Sequence, residues 1–404
     1  MAAAYPHLTW RQATPGVWQR GIDEIESFYS SMAVIYEDSG RMFFGMTGFL
    51  SLSVEFPKDV GRHRAEQDID QALEKAWLTL RYDHPTLTAR VIQNGEKTTW
   101  IKSYTQFSDE NDRAAWLKRT FVLVSTGQTG IEWANSDPPA PYVPTLFVVQ
   151  PPAESNDGTL IRRDLVFRSP HDIIDGIGTL IMLNNLIGHA SCAFSQGAAF
   201  KLPIFDGSEV ANLTRLGVVI AQKASVIGAT DVEVLALPYS KGAIMPGKHQ
   251  RAALTLSPEQ TTQLLAACKQ EGLTPTHLFH AAAAIVDRDL QAPSAEAKRV
   301  RYINYILRNE RSSLTAPYNT RKHPAGLYHS VSGQSLVLDR DLLEEGKQAD
   351  AKSRREEFHS IVRLVKDFYH EVRHDKEHYI MVPDLWAIGS PEVPPSPRPL
   401  PRDL

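Results

Sequence analysis

Cysteine is nearly absent: the 404 residues contain two, Cys192 and Cys268. Two thiols make no disulfide framework, which excludes the small disulfide-stapled secreted class and fits a reducing, cytoplasmic setting. An excess of charge of one sign is also lacking. The 43 lysines and arginines against 47 aspartates and glutamates leave a formal net charge of −4. Such a balance gives no reason to expect nucleic acid or an anionic membrane as partner. The opening Met-Ala-Ala-Ala-Tyr-Pro-His has no basic region followed by an apolar core, so no signal peptide is read. No apolar run is read as long enough to span a bilayer. Clustered histidine and cysteine are scarce as well, and no metal site is expected.

What the chain has is length, and one informative stretch. A chain of 404 residues exceeds a single small core and suggests two lobes. The stretch is Asp164-Leu-Val-Phe-Arg-Ser-Pro-His171-Asp-Ile-Ile-Asp175-Gly176-Ile-Gly178. Leu165, Val166 and Phe167 read as a strand that Pro170 ends. Thr179 to Phe194 reads as a helix apolar nearly all round, and therefore buried. His171 thus stands where a strand leaves the core and a buried helix begins. Its ordinary pKa of about 6.5 makes the neutral imidazole available as a base. Asp175 is placed to hold it, directly or through an ion pair with a distant arginine. Gly176 suits a tight turn or a close backbone approach. The residues alone fit a histidine satisfied at a strand end and an ordinary Asp-Gly turn equally well. Gly176-Ile-Gly178 is a poor dinucleotide fingerprint, because Ile181 stands at the third glycine position. His171, Asp172 and Asp175 could ligate a metal, but no second cluster completes the site.

His171-Asp-Ile-Ile-Asp175-Gly176 resembles the HxxxDG signature of the acyl-CoA-dependent acyltransferases. This superfamily includes chloramphenicol acetyltransferase, plant alcohol acyltransferases and peptide-synthetase condensation domains. The resemblance is strongest to fungal trichothecene O-acetyltransferases and related alcohol acetyltransferases, and it extends beyond the motif. The opening Trp10-Arg-Gln-Ala-Thr-Pro-Gly-Val-Trp18 is similar to the start of those enzymes. So is Ala76-Trp77-Leu-Thr-Leu-Arg81-Tyr-Asp-His84-Pro85-Thr-Leu87, in which His84 reads as structural. The run from Leu256-Ser-Pro-Glu-Gln-Thr261 through Ala284 is similar to the start of the family's second lobe.

Elsewhere the patterns are local. Ile22, Ile25, Phe28 and Tyr29 have helical spacing, and Phe49 to Phe56 alternates as a strand. Ala65 to Tyr82 carries one apolar stripe of Ile69, Ala72, Leu73, Ala76, Trp77 and Leu80. Thr88 to Gln93 reads as a strand. Leu146 to Gln150 and Leu160 to Phe167 read as a hairpin leading to His171. Arg251 to Leu256 alternates as a strand. Ser257 caps a helix with Pro258 at its first position, Gly272 ends it, and Thr274-Pro275 opens another through Val286. Cys268 reads as a packing residue; His277 and His280 are one helical pair without further ligands. Tyr302 to Leu307 reads as a strand, and Ala351 to Val372 as an amphipathic helix.

The resemblance implies an α/β fold of two chloramphenicol-acetyltransferase-like lobes, with mixed sheets flanked by helices and an active-site tunnel between the lobes. The organisation expected is an N-terminal lobe over 1–196, a crossover connection over 197–246, a C-terminal lobe over 247–390 and a proline-rich tail over 391–404. By the same resemblance, His171 is the general base and Asp175 holds it through an arginine. Arg308 is the candidate partner, with an ordinary surface ion pair as its alternative. Tyr328 and Ser330 lie on the strand expected to border the substrate tunnel. Asp172 is expected to face solvent or the tunnel wall. The implied reaction moves an acetyl or other short acyl group from acyl-CoA, a co-substrate, to a hydroxyl of a secondary metabolite such as a terpenoid, in a monomer. Two alternatives stay open: a diverged member that binds a metabolite without transfer, and a condensation-type enzyme with a carrier-protein donor. Pro170 stands where a doubled histidine would mark the latter.

Overall fold

The computed structural model describes residues 6–36, 41, 44–93, 100–152, 158–213, 232–235, 247–248, 250–291, 298–342, 350–375, 378 and 382–390. The 391–404 tail and most of the 197–246 connection lie outside the described residues.

The first half runs β1 (Arg11–Thr14), β2 (Val17–Gly21), α1 (Glu24–Ile35), β3 (Met46–Glu55), α2 (Arg62–Asp83), β4 (Arg90–Gln93), β5 (Trp100–Thr105), α3 (Glu110–Thr120), β6 (Phe121–Val124), α4 (Gly130–Asn135), β7 (Thr145–Val149), β8 (Leu160–Ser169) and α5 (Gly176–Gln196). Two four-stranded sheets result, ordered β1-β2-β5-β4 and β3-β8-β7-β6. In the second, β8 is antiparallel to both neighbours, and β6 and β7 are parallel. A position between two strands explains why β8 is buried almost without a break from Arg163 to Ser169. Its neighbours hold it at both sides, so its C-terminal end is a rigid base for the turn that follows.

The apolar stripe of α2 faces this core, with Leu73, Ala76, Trp77 and Leu80 fully buried. Its end is set by His84, whose N–H donates to Leu80 O, and by Pro85, which opens a short 3-10 turn. Helix α5 packs against α2 and β3 through Met182, Leu183, Leu186, Ala190 and Ala193. At Gly48 of β3 an added Cβ would lie 2.5 Å from Thr179 Cγ2, so strand and helix are in direct contact. The expectation of a helix buried all round does not hold. Leu180 is 62% exposed, with Ile177 and Phe194 also out, because the described layers cover one face of α5. By length and composition the segment Gly176–Ala199 passes for a membrane span, which corrects the reading of no such run, but in this fold one side of it is core.

The second half runs β9 (Glu233–Val234), α6 (Pro258–Gln270), α7 (Pro275–Asp289), β10 (Arg299–Asn304), β11 (Leu307–Asn309), β12 (His329–Val331), β13 (Leu336–Asp341), α8 (Ala351–His374) and α9 (Val382–Gly389). Strands β13-β10-β9 form one sheet and β11-β12 a two-stranded ribbon. A separate core joins Ala281, Ala284, Tyr302, Leu336 and Leu338 to Ile361, Val365 and Phe368 of α8. Both capping boxes, Ser257 with Gln260 and Thr274 with His277, are formed. His277 is therefore a cap, and His280 Nε2 lies 3.4 Å from Tyr369 Oη.

Two strand readings are corrected. Residues 251–256 form no ladder; Arg251 instead exchanges both backbone bonds with the Asn135 side chain, at 2.7 and 2.9 Å, and Leu254 is left exposed. The 302–307 run is split, β10 ending at Asn304 and β11 starting in another sheet at Leu307. The Asn304 side chain accepts from Tyr305 N at 2.8 Å, a local turn that interrupts the ladder.

A third cluster ties the halves together. Ile25 and Tyr29 of α1 pack on Leu327, next to β12, and on Trp386 of α9. His171 lies at this junction.

Candidate active site

The turn after β8 carries His171 and Asp172, and Asp175 caps α5. The Asp175 side chain accepts from Gly178 N at 2.7 Å, which satisfies one of the free amides of the helix start. Its other oxygen, Oδ2, accepts from Tyr328 N at 2.8 Å and from Arg311 Nη1 at 3.0 Å. Arg311 Nη2 lies 2.9 Å from Oδ1, so the guanidinium grips both oxygens. Burial alone would raise this carboxyl, but His329 and Arg311 overcome it and hold Asp175 down at about 2.

The partner of Asp175 is thus Arg311, not Arg308. Arg308 lies on β11, where its guanidinium donates to Val372 O and Asp375 O at 2.6 and 3.0 Å and pairs with Glu310. It ties β11 to the end of α8. Arg311 follows on a 3-10 turn, Arg311–Ser313, which swings its side chain across to Asp175. Tyr328 meets the site through its backbone: its N–H binds Asp175, and its ring lies under the Arg311 guanidinium, 4.9 Å away. Ser330 bonds elsewhere. It donates to Glu310 Oε1 and lies 3.2 Å from His378 Nε2, in a buried cluster of its own.

Gly176 is exposed, and a Cβ there would meet only Met46 Cε, at 3.7 Å. The glycine that the fold demands is Gly178. A Cβ on it would come within 2.2 Å of Pro324 O and 3.0 Å of Arg311 Nη2. The second half of the chain passes so close to the first turn of α5 that no side chain fits.

His171 is mostly buried, and its ring stacks on Tyr29, with centroids 3.8 Å apart and planes within 6°. His171 Nδ1 is buried and has no hydrogen-bond partner. Asp175 makes no hydrogen bond to His171; it stabilises the turn and the arginine instead. Burial, and then the nearby His329, push the His171 imidazole down to about 4. The neutral ring therefore predominates near neutral pH.

Residues that sequence reasoning did not single out build the rest. The ring of His329, on β12, lies 5.5 Å from that of His171, its Nδ1 3.7 Å from Asp175 Oδ2 and its Nε2 3.0 Å from Tyr29 Oη. Trp386 of α9 lies against both rings, 5.9 Å from His329 and 5.7 Å from Tyr29.

Beneath the turn is a buried charge network. Glu26 of α1 takes two bonds from Arg20 at 2.7 Å and one from Lys102 Nζ at 2.5 Å. Lys102 Nζ also donates to Asp172 O at 2.6 Å. Ser30 Oγ donates to Asp172 Oδ2 at 2.9 Å. Asp172 is therefore buried rather than facing solvent, and burial pushes its carboxyl up against the pull of Lys102. Glu26 is held at about 2, because Arg20 and Lys102 outweigh its burial.

Two cavities, of about 360 and 790 Å³, open elsewhere; His171 lines neither. Among the described residues no group of three or more His, Cys, Asp or Glu is arranged to hold a metal.

No family model matches the chain. Two curated relatives from Monascus ruber do. The O-acetyltransferase pigM is 24% identical over 348 residues, which cover 83% of this chain and 63% of pigM. The acetyltransferase pigO is 23% identical over 337 residues, covering 80% and 67%. The chain thus spans less than two thirds of the length of pigM. Among solved structures, the trichothecene 15-O-acetyltransferase TRI3 of Fusarium sporotrichioides superposes with a TM-score of 0.68 at 17% identity, over 96% of this chain and 77% of that one. The first condensation domain of the calcium-dependent antibiotic synthetase gives 0.52 at 14%, over 93% and 78%. The fold is the α/β architecture that these proteins share, and the likeness bears out the resemblance to the acyl-CoA-dependent acyltransferases.

Proposed function

We propose that this chain is an acyl-CoA-dependent O-acyltransferase, moving an acetyl group from acetyl-CoA to a hydroxyl of a fungal secondary metabolite such as a terpenoid or polyketide alcohol. The observation that carries the reading is the His171 turn: a mostly buried, neutral imidazole at the end of a rigid strand, followed by a carboxylate locked to Arg311. The similarity to acetyltransferases from a fungus supports it.

In this reading the imidazole of His171 takes the proton of the acceptor hydroxyl as its oxygen attacks the thioester carbonyl. The tetrahedral intermediate collapses with cleavage of the C–S bond, and the imidazolium returns the proton to the thiolate. No covalent acyl-enzyme forms. Asp175 keeps the turn and the opposite half in register. General-base catalysis of this kind is worth about 10²–10⁴ in rate.

The test is thiol release from acetyl-CoA with a panel of terpenoid and polyketide alcohols. Release is expected to depend on the alcohol and to fall about 10²–10⁴-fold in His171→Ala. A folded wild type that releases no more thiol than the variant with any alcohol overturns the assignment.

A further inference from the structure

Burial gives His171 a neutral resting state but penalises the imidazolium that a proton transfer must create. The charge has to be met by something in contact with the ring. Asp175 favours that charge only through space and makes no hydrogen bond to the ring, its oxygens taken by Gly178 N, Tyr328 N and Arg311. The group that covers the ring is Tyr29, parallel at 3.8 Å. The face of an aromatic ring carries negative potential and attracts a cation above it.

The Tyr29 hydroxyl has a defined partner. His329 turns Nδ1 toward the Asp175 carboxylate, 3.7 Å away; this is too long for a hydrogen bond, but the negative charge on that side favours the tautomer with its proton on Nδ1. Nε2 is then an acceptor, and Tyr29 O–H donates to it at 3.0 Å. A phenol that donates its proton has a more electron-rich ring. The face offered to His171 is thereby strengthened by a chain that begins at Asp175.

We propose that Tyr29 is a positioning residue whose ring face stabilises the imidazolium formed on His171, with His329 and Asp175 keeping its hydroxyl turned away as a donor. This rests on the acyltransferase reading only for the step in which the charge appears. It also gives α1 a direct part in the site, since Glu26, Tyr29 and Ser30 share one face of that helix and reach the network, the base and Asp172.

The titratable and charged groups that face the His171 ring are Asp175 on its own turn, Tyr29 on α1 and His329 on β12, with Arg311 behind Asp175. The test replaces position 29 with Phe, then 4-fluoro-Phe, then 3,5-difluoro-Phe, a series that keeps the shape and drains the ring face. Two readouts are taken: kcat and KM for acetyl transfer, and the His171 titration followed by NMR of labelled histidine. The expected result is a stepwise fall in kcat, about 3- to 30-fold across the series, with KM unchanged. The titration should fall in the same order, by on the order of one unit. Tyr29→Leu should lower the titration too; a rise would mean that water, not a lost ring face, governs it. A flat fluorine series, or a titration that stays or rises, overturns the proposal. Wild type without acyl transfer would defeat the enzyme assignment alone, because the titration arm still decides the role of Tyr29.

Discussion

Single atoms decide two points at the site. An added methyl at Gly178 would collide with the carbonyl of Pro324, backbone that has no rotamer to yield. Gly178→Ala is therefore expected to lower stability by about 1–3 kcal/mol or more, whereas Gly176→Ala should change it by less than about 1 kcal/mol. Chemical denaturation of the two variants in parallel checks the ordering. The arginines divide in the same way. Arg311→Ala strands a buried carboxylate and should cost about 3–5 kcal/mol in the same assay. Arg308→Ala removes hydrogen bonds to Val372 O and Asp375 O and should cost about 1–2 kcal/mol. The motif drew attention to Gly176 and the family resemblance to Arg308, and the structure moves each role a few residues along, to Gly178 and Arg311. Nothing local marks the difference: whether Gly178 must lack a Cβ depends on Pro324, and which arginine reaches Asp175 depends on a 3-10 turn after β11.

At the scale of the element, what was legible was what is local. The α2 stripe and the Ser257 and Thr274 caps rest on neighbours within a few residues, the β7–β8 pairing on partners 15 to 23 residues apart, Val149 with Asp164 to Thr145 with Arg168, and each formed. The 251–256 strand failed because alternation states only that one face is apolar; Asn135, more than a hundred residues away, took its backbone bonds. The role of α1 was illegible for the same reason. Its helical spacing was plain, yet nothing in it says that Glu26 faces Lys102 and Arg20 or that Tyr29 covers His171. Because Lys102 is the link between α1 and the carbonyl of Asp172, Lys102→Met is expected to cost about 3–5 kcal/mol and to lower kcat more than it alters KM. Thermal melts with steady-state kinetics would show it; wild-type kcat in a destabilised variant would mean that the network leaves His171 untouched.

For the whole molecule, buried titrating groups pull in two directions: burial raises Asp172, and raises Asp23 to about 7, so the fold gains from these carboxyls as pH falls from about 7 toward 4, while the buried histidines oppose them. His171 and His84 are held at about 4 in the fold, below the 6.5 of an unfolded histidine. As pH falls from about 6.5 to 4, the unfolded chain takes up protons that the fold refuses, and stability is lost. Glu26 and Asp175 sit at about 2, below their unfolded values of 4.5 and 3.8, so their contribution is lost as pH falls from about 4.5 toward 2. The lower stage is expected as a fall in melting temperature below pH 4.5, and the histidine contribution above it is isolated by comparing variants. Between pH 6.5 and 4 the melting temperature of His171→Gln should change less in the destabilising direction than that of wild type, and identical pH dependence of the two would contradict it.

Asp175 has one more consequence, and it concerns time rather than energy. Its partners Arg311 and Tyr328 lie 136 and 153 residues further along the chain. A ribosome delivering this protein has made His171, the turn and the whole of α5 long before the guanidinium and the amide that bind Asp175 Oδ2 exist. Until residue 328 emerges, Asp175 has the Gly178 amide of its own turn, and its Oδ2 is left to water. The surroundings of His171 are thus completed last, by the arrival of the second half, and an unfinished chain carries the histidine without them.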